Sequence, residues 1–296
     1  MSAVPQEGEL VVRQIPFDFP DELEPVWSPH HEWSHMVNGA SLTMPYLEPF
    51  LIATLKEATA LIDDAEVLEE ARGFNAQEAQ HYKTHRRYNE LLKAKGYPEL
   101  AEVEAAMKAG YDKLRNRSLT YRLAYSCGFE TMTLGITNWL VSERSKLFGG
   151  SDSRIASFIM WHFVEEAEHK RVAFDVYQAA CGGYWQRLLG VFTGSAHVFW
   201  WSRKGAIAML KADGLWRDPR SRLRLWRRTA GFFRAVLPVI LRSASPWHDP
   251  RHEPDPPWVR AWIAGYAARG DADLPLVDTS DPDIPVPFAT EAASGA

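Results

Sequence analysis

Apolar and aromatic residues recur at helical spacing along four stretches of the chain. From Asp63 to about Lys95 no Pro intervenes, and Phe74, Glu78, His81, Tyr82, His85, Tyr88 and Leu92 follow one another at turn-length intervals. A second stretch opens at Ser151 or Asp152, either able to cap a helix, and runs to Cys181-Gly182-Gly183. A third, from Ser118 to Phe148 and ended by Gly149-Gly150, carries the stripe Leu123, Cys127, Glu130, Leu134, Thr137 and Leu140. The first helix of this set is placed from about Pro49 to Ile62, since Pro is tolerated at a helix's first position. An all-α protein is expected.

The polar residues on these faces change the picture. Glu78, His81 and His85 fall within about 60° of one another on their helix. His162, Glu166 and His169 span a similar arc amid Phe158, Trp161, Phe163 and Phe174. Carboxylates and imidazoles in such a setting are costly to bury without a partner, and metal coordination supplies one. Glu130 is the sole acid on its stripe. Glu48, just before Pro49, would sit at a helix start, whereas its rival Glu57 beside Lys56 reads as a solvated acid. Glu78-Ala-Gln-His81 and Glu166-Ala-Glu-His169 repeat one pattern on two helices. Two such strings plus a single Glu from each of two further helices define a ferritin-like four-helix bundle holding two metal ions. A third copy, Glu32-Trp-Ser-His35, lies in a Pro-containing stretch and carries less weight.

The segments Phe74-x-x-Gln77-Glu78-Ala79-x-His81-x3-His85 and Trp161-His162-x3-Glu166-x2-His169-Lys170-x2-Ala173-Phe174-Asp175 resemble a bacterial family labelled predicted metal-dependent hydrolase, over about residues 30 to 250. The ligand pattern also resembles the ferritin-like di-iron oxygenases of the 4-aminobenzoate N-oxygenase type, whose fourth helix reads His-x3-Glu-x2-His. That resemblance implies seven ligands: Glu48, Glu78, His81, Glu130, His162, Glu166 and His169. His85 and Asp175 are expected to orient a ligand by hydrogen bonding or to act as alternative ligands.

Two chemistries follow. The oxygenase resemblance implies two iron ions, or a manganese–iron pair, that activate O2 to oxygenate an apolar or amine organic substrate. An external electron donor would be needed, because two Cys are too few for an iron–sulfur cluster. Phe74, Phe129, Trp161 and Phe163 would form the dry pocket, or would simply be core. The alternative is a dinuclear metal-dependent hydrolase, with two metals about 3.5–4 Å apart activating water. A third reading is a non-catalytic, ferritin-like metal-binding protein.

With 296 residues, 46% of them hydrophobic, the chain can bury a large core. Its two Cys and the lack of an apolar leader point to the cytoplasm. The bundle is expected over 29–183, after an extended arm, 1–28, punctuated by Pro5, Pro16, Pro20 and Pro25. Residues 184–245 should add apolar and basic helices. The run 188–202 spans about 22 Å as a helix, short of a bilayer's roughly 30 Å core. Residues 203–242 carry 11 Lys/Arg against Asp213 and Asp218, a local +9 in a chain of net −5. On a helical wheel Arg217, Arg220, Arg224, Arg227, Arg228 and Arg234 lie opposite Trp226, Phe232, Phe233, Val236, Leu237 and Ile240, with Pro238 expected to kink or end the helix. Such a helix suits an anionic membrane surface, with peripheral association, or packs on the bundle. No recognised nucleic-acid-binding motif is present. The Pro- and Asp-rich tail, 246–296, is expected to wrap the surface or stay unfolded. Its His248 and His252, like His30, His31 and His35, lack a surrounding carboxylate set.

Overall fold

A computed structural model describes residues 10–269 and 274–281; the ends of the expected arm and tail lie outside these. Among the described residues the regular structure is entirely helical, as expected. In chain order the helices are α1 (His31–Ser41), α2 (Met44–Ala58), α3 (Ala65–Ala94), α4 (Leu100–Arg115), α5 (Leu119–Ser142), α6 (Arg144–Phe148), α7 (Ser153–His169), α8 (Val172–Ala180), α9 (Tyr184–Ala212), α10 (Pro219–Ser243) and α11 (Pro257–Arg269).

Helix starts follow side-chain chemistry. The Asp64 carboxylate accepts from the N–H groups of Glu66 and Val67, and Asp152 from those of Arg154 and Ile155, so Asp152 rather than Ser151 caps α7. At the centre is α5, which touches α2, α7, α8, α9 and α10. Every residue from Arg122 to Gly135 is buried, as expected of a helix with no solvated face. Close approach to α9 needs glycine on both sides. A Cβ on Gly128 would meet the Gly190 carbonyl, and one on Gly190 the Ala124 carbonyl.

Several boundaries depart from the sequence reading. Helix α2 begins at Met44, so Glu48 lies inside it rather than at its start. Pro45 occupies the first turn, whose N–H groups have no helical partner, and Pro49 removes only one bond just beyond it. The stretch from Asp152 to Cys181 is two helices, broken at Lys170 and Arg171. Neither Gly nor Pro marks that joint. Lys170 instead donates to Asp255 and the Glu253 carbonyl, and Arg171 to Glu70. A second break, at Glu143, separates α5 from α6. Pro238 does not end α10, which continues to Ser243. Pro238 is exposed, so the carbonyl it leaves unpaired can be hydrated. The expected apolar side of α10 divides: Phe232, Val236 and Ile240 are buried, while Trp226, Phe233 and Leu237 face solvent.

The arm and tail are packed onto the helices. Residues 10–28 form no helix, yet Ile15, Phe17, Leu23 and Trp27 are buried. The tail contains a helix, α11, that buries Trp258, Val259, Trp262 and Tyr266. Beyond it the Val277 N–H donates to Ser157 Oγ, and the Gly150 N–H to the Thr279 carbonyl. No helix of the described residues is long and apolar enough to cross a membrane.

Candidate metal centre

Four helices bring the polar residues of the apolar faces to one place. Glu48 comes from α2, Glu78, His81 and His85 from α3, Glu130 from α5, and His162, Glu166 and His169 from α7. They form overlapping sets whose ligand-capable atoms lie within 4.8 Å of one another: Glu78, Glu130, Glu166 and His169; His81, His162 and Glu166; Glu48, Glu78 and His81; Glu48, His85 and His162. None is more than 6% exposed. Such a convergence of acids is held only by compensation from outside it or by a cation within it.

The three histidines are oriented alike. Each turns one ring nitrogen toward the carboxylates and gives the other to a fixed partner. His81 Nδ1 is 3.8 Å from Glu78, and its Nε2 lies 2.8 Å from Glu165 Oε2. His169 Nδ1 is 3.1 Å from Glu78 Oε1, and its Nε2 donates to Gln77 Oε1 at 2.7 Å. His162 Nε2 faces Glu166 at 2.9 Å, while its Nδ1 is 2.7 Å from His85 Nε2. With the inward nitrogen left as a lone-pair donor, the remaining protons form one consistent chain. His162 Nδ1–H donates to His85, His85 Nδ1–H to Ser41 Oγ, and the Ser41 hydroxyl to Asn89.

Inside this ring the atoms have nothing to bond. Both carboxylate oxygens of Glu48 and of Glu78, Glu130 Oε1, Glu166 Oε2, His81 Nδ1 and His169 Nδ1 are buried without a hydrogen-bond partner. Charge is partitioned to match. Burial, then the Glu78 charge, pushes the Glu48 carboxyl well above its ordinary range, and burial with Glu166 and Glu78 does the same to Glu130. For Glu78 burial alone would act upward, but His169 and His81 more than offset it and hold it to about 2. Burial opposes protonation of His81, and the hydrogen bond to Glu165 with the nearby Glu78 carboxylate overcomes it. His85 is pushed well below its usual value by burial and by His162 and His81, so it stays neutral, as the proton chain requires.

A surrounding layer escaped the sequence reading. Glu165 is fully buried between His81 and Arg13, whose guanidinium also pairs with Glu168 at 2.7 Å. Gln77 Nε2 donates to the Val11 carbonyl and to Glu168. Gln77 and Glu165 each neighbour a cluster residue in sequence, which was the available signal. Nothing in the arm's composition singles out Arg13.

Other expectations fall elsewhere. Asp175 is outside the cluster, its carboxylate held by Arg251 at 2.6 Å. Glu57 pairs with Arg122 at the surface. Phe129 and Phe163 line a cavity beside His162, whereas Phe74 packs on His169 and Trp161 on His81 as core. His31 and His35, both on α1, converge on one oxygen of Asp213, each at 2.6 Å, with Tyr97 donating to the other. Their carboxylate comes from the end of α9, which explains why the local sequence gave no hint of it.

The fold and this cluster define an all-α protein with a buried carboxylate–imidazole centre of the kind that holds metal. The chain belongs to the family described as predicted metal-dependent hydrolase, matched over residues 11–254. No curated protein and no solved structure matches it. Family membership overturns the expected di-iron oxygenase activity in favour of the hydrolase alternative.

Proposed function

We propose that the chain is a metal-dependent hydrolase whose centre, formed by Glu48, Glu78, His81, Glu130, His162, Glu166 and His169, holds two divalent cations. The set of inward-facing buried atoms without hydrogen-bond partners carries this reading. The donor set fits: four carboxylates offset the charge of two cations, and three imidazoles are already fixed through their outer nitrogens. Cations in such a site supply Lewis acidity, polarising an ester or amide carbonyl and easing loss of a proton from water.

The chain's own groups define the rest. A cavity of about 120 Å³ reaches His162 and is walled by Phe129, Met132, Ile136, Ile159 and Phe163, which exclude bulk water from the reacting bond. Thr133 lines the same cavity, and its hydroxyl lies 3.4 Å from Glu130 Oε2.

Metal analysis joined to ester hydrolysis tests this. The purified protein should hold about two divalent ions per chain, lose esterase activity on chelation and regain it on metal return. Glu78→Ala and Glu166→Ala should abolish both. Hydrolysis indifferent to chelation, or metal-free protein that takes up none, would overturn the reading.

A further inference from the structure

Apolar surface is distributed very unevenly over this protein. Among the described residues, every large hydrophobic side chain classed as exposed, apart from Leu61, lies between Trp185 and Trp247. On α9 they are Trp185, Leu189, Phe192 and Trp200, spaced by whole turns along one side. On α10 they are Leu223, Trp226, Phe233, Leu237 and Leu241, all within about 80° of arc. The two stripes adjoin, because the Phe199 ring on α9 packs 4.9 Å from Phe233 on α10. Trp247, 87% exposed, follows the end of α10. Adjoining exposed apolar stripes of this kind mark an interaction surface.

Charge indicates the cover. Arg203, Arg217, Arg220, Arg227 and Arg234 flank the stripes, and none forms an ion pair among the described residues. Lys204 lies over the Trp200 ring. Arg13, Arg122, Arg154, Arg171 and Arg251 pair with carboxylates elsewhere, and Arg224 and Arg242 of α10 pair with Glu32 and Glu253, so the unpaired arginines here are those nearest the apolar stripes. Apolar stripes with aromatic residues, bordered by uncompensated guanidinium groups on a helix lying flat, match an anionic lipid interface.

The cavity beside the metal centre is walled in part by the same two helices. Its walls include Val198, Phe199 and Arg203 from α9 and Leu225, Thr229 and Phe232 from α10. Arg203 is the one exposed residue of its lining, which also includes His162 of the metal centre. Trp33, also in its wall, has an indole N–H without an acceptor.

We propose that the α9–α10 face docks on anionic membranes and that the cavity takes the hydrocarbon chain of an amphiphile from that interface, its anionic head at Arg203. The docking stands on surface chemistry alone; the substrate class rests on the hydrolase reading. Entry from the docked bilayer spares an apolar chain any passage through water. It also places the amphiphile's cleavable bond toward His162 and the carboxylates.

Co-sedimentation of the full chain with phosphatidylglycerol–phosphatidylcholine vesicles, compared with phosphatidylcholine alone, tests the docking. Binding should favour the anionic vesicles, fall with salt, and shift tryptophan emission to the blue. Trp226→Ser/Phe233→Ser/Leu237→Ser should cut partitioning by about tenfold or more, and Arg227→Gln/Arg234→Gln by about fivefold per arginine. All five side chains are on the surface, so an unchanged circular dichroism spectrum will show that the variants fold. Equal binding to neutral vesicles, no binding to either, or a dimer dissociated by the same substitutions would overturn the docking. For the substrate, p-nitrophenyl esters of rising chain length should show kcat/KM increasing with length, and Arg203→Glu should lower it selectively for an anionic amphiphile. Vesicle binding without ester turnover would sink the hydrolase reading alone; chelator-sensitive turnover without vesicle binding would sink the docking alone.

Discussion

In metal-free protein, replacing Glu130 by Gln should stabilise the fold at neutral pH, although it removes a residue of the proposed centre. Burial and the nearby Glu166 and Glu78 push the Glu130 carboxyl well above its ordinary 4.5. Keeping it protonated, when the unfolded chain releases that proton near 4.5, costs about 1.4 kcal/mol for each pH unit above 4.5 over which the folded carboxyl still holds its proton. Gln has the shape of the protonated acid and takes up no proton, so that cost disappears. The folded state binds more protons than the unfolded one, so this site weakens wild-type stability as pH rises from 4.5 toward the raised folded value. The advantage of Gln is therefore near zero at the lower end and grows across the same window. Urea denaturation of chelated protein from about pH 5 to about pH 8, followed by circular dichroism, gives the difference directly. With metal returned the sign should reverse, because the variant loses an anionic donor. A Gln variant less stable than wild type in chelator at every pH would refute the reasoning: Glu130 would then be an ordinary, satisfied buried acid.

Arg13→Ala leaves Glu165 buried with His81 as its remaining partner and should cost about 3 kcal/mol. It should also weaken metal binding about tenfold to a hundredfold by freeing the His81 ring, as read by competition with a chelating dye; unchanged affinity would show that the ring needs no such support. Metal affinity should rise with pH, since Glu48, Glu130 and His81 hold protons that the metal must expel. Calorimetry in two buffers of different ionisation enthalpy should detect that release, and none would contradict the charge partition. Gly128→Ala should destabilise by about 1–3 kcal/mol by forcing α5 and α9 apart, whereas Gly110→Ala, with room for a Cβ, should stabilise by up to about 1 kcal/mol. Thermal melts of both variants test the pair together.

The cluster was legible because burial is expensive for these groups. Glu130 alone on an apolar stripe, and His162, Glu166 and His169 amid aromatics, stand out against the helical period. Seven residues identified through motif and resemblance do converge, with His85 beside them. Helix interruptions were not legible, since the joint at Lys170 and Arg171 is made by partners as distant as Glu70 and Asp255. The same holds for the His31–His35–Asp213 contact, which joins residues 182 positions apart. The sidedness of α10 was half legible. Periodicity separates apolar from basic positions, but which apolar ones are covered depends on where α5 and α9 pack.

The outer nitrogens of the three histidines show why the ends of the chain matter to the centre. His81 leads through Glu165 to Arg13, and His169 through Gln77 to the Val11 carbonyl. Two of the three rings are therefore set by a segment with no helix of its own. Arg13 in turn lies 5.7 Å and 5.6 Å from the Trp262 and Tyr266 rings of α11, so arm and tail close over the centre as one unit. Any ligand that needs these rings in their present orientation must stabilise the docked arm by the same free energy that the docked arm contributes to its binding. Metal should therefore protect the bonds near Val11 and Arg13 from protease, and Arg13→Ala should abolish that protection even at saturating metal. Equal cleavage rates with and without metal would mean that the arm packs independently and that the rings are held by the helices alone.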